Sequence, residues 1–143
     1  MFFGEVPVDD AEAHILGHSI SVGRAKFRKG RVLSAEDIEA LRQADITTVT
    51  IARLSPDDVA EDIAAGRISE PLTTATLRTS EPFTGRVNLF AKADGLVIAD
   101  AAAVNRLNAI HEAMTMATLA QDTVVRKGQM VATIKIIPFG VAN

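Results

Sequence analysis

The sequence predicts an α+β fold of short antiparallel strands and hairpins carrying three to four helices. Two echoes, Phe27-Arg28-Lys29-Gly30-Arg31-Val32 and Val125-Arg126-Lys127-Gly128-Gln129-Met130, each set a basic pair and a glycine between apolar runs. A tight turn joining two strands requires that pattern, because glycine takes positive φ without steric cost. The run Ile46-Thr47-Thr48-Val49-Thr50-Ile51 is β-branched throughout, the composition of a strand. Ser34 and Asp100 each stand as an N-cap ahead of a helical stretch.

Taken in order, Asp9 or Asp10 caps an expected short helix through Ala11, Ala13, Ile15 and Leu16, with Gly17 as its stop. Ser19-Ile20-Ser21-Val22 alternates polar and apolar as a strand does. Past the first basic turn, Ser34 caps a helix with Asp37 at the capping-box position. Leu33 is placed to staple onto Ile38, and the helix runs through Leu41 to Ala44. The β-branched strand follows. Leu54-Ser55-Pro56-Asp57-Asp58-Val59 repeats the cap grammar, with proline at the first helical position, and predicts a second helix ending at Gly66. Residues 72–80 read as an extended segment or loop, and Glu81-Pro82-Phe83-Thr84-Gly85 as a turn. Arg86-Val87-Asn88-Leu89-Phe90 and Leu96-Val97-Ile98 read as strands around the hairpin signal Asp94-Gly95. Asp100 then opens a helix whose stripe is Val104, Leu107, Ile110 and Met114. Thr123-Val124-Val125, the second basic turn and a strand from Met130 to Ile137, stopped by Pro138, complete the chain.

With 143 residues, 48% of them hydrophobic, the chain suits one domain, 1–143, with possible sub-lobes 1–66 and 80–143. The net charge of −3 lacks the basic excess of a nucleic-acid binder, so no nucleic-acid partner is expected. The absence of cysteine excludes disulfides, thiol nucleophiles and thiolate metal sites. No long apolar run and no signal peptide are visible, so the expected location is cytoplasmic, with no membrane partner. Phosphate-binding glycine loops are absent.

Four constellations carry candidate chemistry. His14 and His18 share a helical spacing used by metal sites, but Gly17 intervenes and no third histidine or cysteine is close. Glu5, Asp9 and Asp10 could add oxygen ligands but are explained as acids at a helix start, so no metal is expected. Arg28, Lys29, Arg126 and Lys127 would grip an anion if the two turns met, and otherwise keep the turn tips solvated. Asn105, Asn108 and Glu112 fall on one face of the third helix, for recognition or for solvent. Arg86 and Asn88 alternate with Val87 and Leu89, so both polar groups share one strand face. Thr84 and Gly85 precede them, a pattern suited to a phosphate or polar heterocycle and equally to a half-buried strand. No catalytic residue is singled out.

The segments Thr84 to Phe90, Val104 to Asn108, Glu112 to Leu119 and Gly128 to Phe139 resemble the N-terminal region of bacterial MoeA-like molybdopterin-binding proteins. The early run from His18 to Leu33, with Asp37, Ile38 and Leu41, is similar to the same region. The resemblance implies a non-catalytic N-terminal or accessory domain in molybdenum cofactor biosynthesis or insertion, part of an enzyme whose catalytic residues lie elsewhere. It implies molybdopterin or a related cofactor as partner, and homo-oligomerisation. The glycine- and serine-rich cofactor loop of that family has no counterpart here, so its pterin-binding residues are not carried over. Polar contacts to the cofactor are expected instead at Thr84, Arg86, Asn88, Asn105 and Asn108. The alternatives are a β-clip-like module binding small anions or sugar acids, and a purely structural oligomerisation domain.

Overall fold

The computed structural model describes residues 1–143. Three α-helices and thirteen strands, gathered into small antiparallel sheets, make the fold α+β. The chain divides into two compact units, residues 1–58 with 142–143, and residues 59–141.

In the first unit β1 (Phe2–Pro7) and β2 (Ile15–Leu16) flank β5 (Thr48–Arg53) in a three-stranded sheet. The hairpin of β3 (Ile20–Val22) and β4 (Ala25–Phe27) and the helix α1 (Ala35–Gln43) complete it. The expected helix over residues 11–16 does not form. A single 3-10 turn, Val8–Asp10, precedes Ala13 at φ 61, where a right-handed helix cannot continue. Leu16 then pairs with Ile51 and is fully buried, so tertiary strand pairing overrides the cap signal at Asp9 and Asp10. His14 and His18 therefore do not share a helical face, and the His18 ring stands edge-on to Phe3 at 5.8 Å.

Helix α1 forms as its sequence dictates. Ser34 Oγ accepts the Asp37 N–H at 3.3 Å and Asp37 Oδ2 accepts the Ser34 N–H at 3.2 Å, the reciprocal capping box. Leu33, Ile38 and Leu41 are buried in one cluster with Leu16, Phe27 and Ile51. Asp45, at φ 56, ends the helix in a Schellman motif, with Ile46 N–H donating to Leu41 O and Asp45 N–H to Arg42 O. Arg31 forks onto Asp37, Nε and Nη2 each at 2.7 Å, while its guanidinium covers the Phe27 ring. Asp37 is buried, and this Arg31 pairing, helped by the Ser34 N–H, holds its carboxyl below the usual carboxylate range despite burial.

Both basic turns are real, but neither closes a hairpin. Arg31 N–H donates to Arg28 O with Gly30 at φ 87, and Gln129 N–H donates to Arg126 O with Gly128 at φ 85. A positive φ at the third position marks a type II turn, whose twist splays the flanking strands. The chain accordingly changes partners at each. β4 pairs with β3 while Val32 bridges to Ile15, and β11 (Val124–Val125) pairs with β9 (Gly95–Leu96) while β12 (Met130–Ile136) joins another sheet. The first hairpin turns instead at Gly23-Arg24, with Gly23 at φ 58.

Ser55 to Asp58 form a turn rather than a helix start. Asp58 N–H donates to Ser55 O at 2.9 Å, and Asp58 Oδ2 accepts the Ser55 N–H at 2.6 Å and meets the Met1 amine at 2.8 Å. Those groups, the amine foremost, hold the Asp58 carboxyl below its usual range. A short strand β6 (Asp58–Ala60), paired with β13 (Gly140–Ala142), intervenes before α2 (Glu61–Ser69). Gly66 lies inside α2 instead of stopping it, at a point where a Cβ would crowd the Pro82 ring at 3.3 Å.

The second unit is built on a four-stranded antiparallel sheet in the order β10-β12-β8-β7, with β7 (Leu77–Thr79), β8 (Arg86–Ala91) and β10 (Met114–Thr118). Ala64 and Ala65 of α2 pack with Val87 and Ile136 on one half of its apolar face. Leu89, Ala132 and Ile134 occupy the other half. The helix α3 (Ala101–Asn108) opens on Asp100, whose Oδ1 accepts the Ala103 N–H at 3.1 Å. It ends before the expected stripe does. Ile110 is exposed and Met114 starts β10, paired with Ile136, because strand pairing there removes the residues from helical reach. Asp94-Gly95 does not close a β8–β9 hairpin either, since β9 pairs with β11 and Asp94 Oδ1 accepts the Lys127 N–H at 2.7 Å.

Candidate functional site

The hairpin that presents the candidate site turns on two residues of positive φ, Thr84 at 49 and Gly85 at 68. Phe83 and Arg86 exchange both N–H···O bonds, at 3.0 and 3.1 Å, as a two-residue I′ loop requires. Gly85 is buried against the next elements. Its N–H donates to Asp62 Oδ1 at 2.7 Å, and its carbonyl accepts the Ile136 N–H at 2.7 Å. A Cβ at that point would lie 2.6 Å from the Ile136 carbonyl oxygen, so only glycine lets β8 start this close to β12.

From this anchor the register of β8 fixes two faces. Val87, Leu89 and Ala91 turn inward and are buried, while Arg86, Asn88 and Phe90 share the outer face. Across the sheet Arg86 stands opposite Lys135, and Lys135 opposite Thr115. Asn88 stands opposite Thr133, and Thr133 opposite Ala117. Arg78, opposite Phe90, lays its guanidinium 4.4 Å from that ring centroid. The outer face thus carries Arg86 and Lys135 as direct cross-strand neighbours, and neither side chain forms a hydrogen bond or an ion pair. Like charges placed opposite one another destabilise a sheet unless a counter-charge joins them. One row further in, Asn88 Oδ1 and Thr133 Oγ1 are buried without a hydrogen-bond partner, a cost the sheet carries. This arrangement can bind an anion.

The five residues expected to contact a cofactor do not all meet. Arg86 and Asn88 share the outer face, and Thr84 is exposed at the tip of the same hairpin. Asn105 is exposed on α3. Asn108 is spent on structure: its Oδ1 accepts the Met116 N–H at 2.7 Å and its Nδ2 donates to Met116 O at 3.0 Å. That pair satisfies the free edge of β10, the outermost strand. Lys135 and Thr133 escaped sequence reasoning, although the alternation Thr133-Ile134-Lys135-Ile136 announces two outward polar groups.

The opposite face of the sheet carries a second feature. An open-sided cavity of about 540 Å3 lies between the inner face and α3, lined by Leu77, Leu89, Met116, Ala132, Val104 and Leu107 among others. It falls within the size range of small-molecule sites, roughly 300–1,000 Å3.

Residues 5–53 match the family model described as Domain of unknown function (DUF8806), a stretch running from β1 to the last residue of β5. No curated protein and no solved structure matches the chain. No helix is long and apolar enough to cross a membrane.

Proposed function

We propose that this chain is a non-catalytic accessory module of molybdenum cofactor biosynthesis or insertion, acting in the cytoplasm, and that it contacts molybdopterin through the outer face of the four-stranded sheet. The resemblance of β8, α3 and β12 to MoeA-like proteins motivates the choice of cofactor. The observation that carries the reading is the cross-strand pair Arg86–Lys135, two cations without a carboxylate, beside the unpaired Asn88 Oδ1 and Thr133 Oγ1. A phosphate would bridge the cations. Thr84 lies at the hairpin tip, where it would border such a ligand.

Calorimetric titration with molybdopterin, and in separate cells with molybdate and inorganic phosphate, tests this. Micromolar binding of molybdopterin, weakened about tenfold or more by Arg86→Ala and by Lys135→Ala, supports it. Binding of molybdopterin unchanged in both variants, or no heat at high ligand, refutes it. A second reading, self-association, is favoured by a separate observation: Phe83, Ile98, Ile110 and Val124 are large apolar side chains exposed on the second unit. Sedimentation velocity giving a monomer at high protein concentration removes that reading.

A further inference from the structure

We propose that the cavity on the inner face of the sheet binds an amphiphile with an aliphatic body and a cationic head, independently of the Arg86 face. The body is dictated by the walls. Leu77, Leu89, Met116, Val104 and Leu107 line it with aliphatic and thioether surface, and Thr76 and Thr118 are the hydroxyl residues of its lining. A cavity of about 540 Å3 walled in this way gains little from a polar ligand and much from an alkyl chain.

The head is set by the polar residues where a second hollow meets the first. That shallower hollow shares Ala99, Asp100 and Thr118 with the first, adding Gln121 from the loop before β11. The charged residues lining the two hollows are Asp94 and Asp100, both acidic, and no lysine, arginine or histidine lines either. Asp94 Oδ1 is engaged by the Lys127 N–H, and Asp100 Oδ1 by the Ala103 N–H. Asp94 Oδ2 and Asp100 Oδ2 accept no hydrogen bond; a long, exposed ion pair from Arg106 Nη2, at 3.8 Å, reaches Asp100 Oδ2. An ammonium group at the mouth would donate to Asp100 Oδ2, to Thr118 Oγ1 and to the Gln121 amide oxygen. A carboxylate or phosphate head would meet a like charge. The start of α3 does not reverse this preference, since the Asp100 side chain already takes one of its free N–H groups.

The test titrates the full chain with n-octylammonium, octanoate and octanol, each below its micelle concentration. The amine binds about tenfold more tightly than the carboxylate if Asp100 reads the head. Asp100→Asn keeps an N-cap and removes the charge. It brings the amine within about threefold of octanol and leaves octanol binding in place. Ala103→Phe, which fills the cavity from α3, abolishes binding of all three in a protein whose circular dichroism is unchanged. Equal binding of amine and carboxylate overturns the head assignment. No binding of any of the three, or binding untouched by Ala103→Phe, overturns the site. Should Ala103→Phe fail to fold, the Asp100→Asn comparison decides alone: an amine preference that survives it overturns the proposal.

Discussion

Two adjacent residues of the β8 hairpin should respond to substitution with opposite signs. Gly85→Ala places a methyl group in a left-handed conformation, at a cost of about 1–2 kcal/mol. The same methyl lands 2.6 Å from the Ile136 carbonyl oxygen and 2.9 Å from Glu61 Oε2. The Glu61 side chain can swing away, but the carbonyl belongs to the backbone of β12 and moves only with that strand. Relief therefore lengthens the Gly85 O···H–N Ile136 bond or the Asp62 bond to the Gly85 N–H, each 2.7 Å at present. Losing one adds about 1 kcal/mol, for a total of about 2–3 kcal/mol. Thr84 is the contrary case. A β-branched residue at φ 49 is strained, and asparagine is favoured at that position of an I′ turn, so Thr84→Asn should stabilise by about 0.5–1 kcal/mol. The chain has neither tryptophan nor tyrosine, so urea unfolding is followed by far-ultraviolet circular dichroism. A Gly85→Ala protein within about 0.5 kcal/mol of the parent, or a Thr84→Asn protein less stable than it, refutes the reasoning.

Two further predictions concern structure. Asp37, held below its ordinary carboxyl value of 3.8 by Arg31 and the Ser34 N–H, contributes stability that is fully present above that value and is lost as pH falls through the lower, folded one. Asp37→Asn should therefore be less stable than the parent at neutral pH, with the gap between their urea midpoints closing once the pH drops below about 3.8; a gap that is constant throughout acid titration would contradict the pairing. Asn108→Ala strands the N–H and carbonyl of Met116 at the edge of β10 and should cost about 1–3 kcal/mol, together with faster amide exchange at Met116; unchanged exchange there would show that the clamp contributes nothing.

Where a signal is short-range and self-contained, the sequence speaks plainly. The capping box at Ser34 and Asp37, the cap at Asp100 and the alternation through Arg86 to Phe90 involve partners a few residues apart, and each appears in the fold with those partners. The misreadings share a different physics. Asp9 and Asp10 look like helix caps, but Leu16 gains more by pairing with Ile51 beneath Leu33 and Leu41 than a short helix could return. Ser55-Pro56 has the grammar of a helix start, and the Met1 amine, far away in sequence, helps hold Asp58 in a turn.

The candidate site divides along the same line. That Arg86 and Asn88 share a face follows from strand periodicity alone. That Lys135 and Thr133 stand beside them depends on register, and register here is pinned by Gly85, whose missing side chain admits the Ile136 carbonyl. Asn108 shows the converse. Its helical spacing from Asn105 suggests a shared recognition surface, yet the chain returns after a short loop to lay the Met116 backbone against its amide. An amide near a strand edge satisfies that edge before it is free for any ligand. The basic turns form at the residues the sequence marks, but they do not join paired strands. A glycine at the third position rather than the second selects a type II turn, and a type II turn parts the strands it connects. What looked like two hairpin tips are thus the two corners at which the chain leaves one sheet for another.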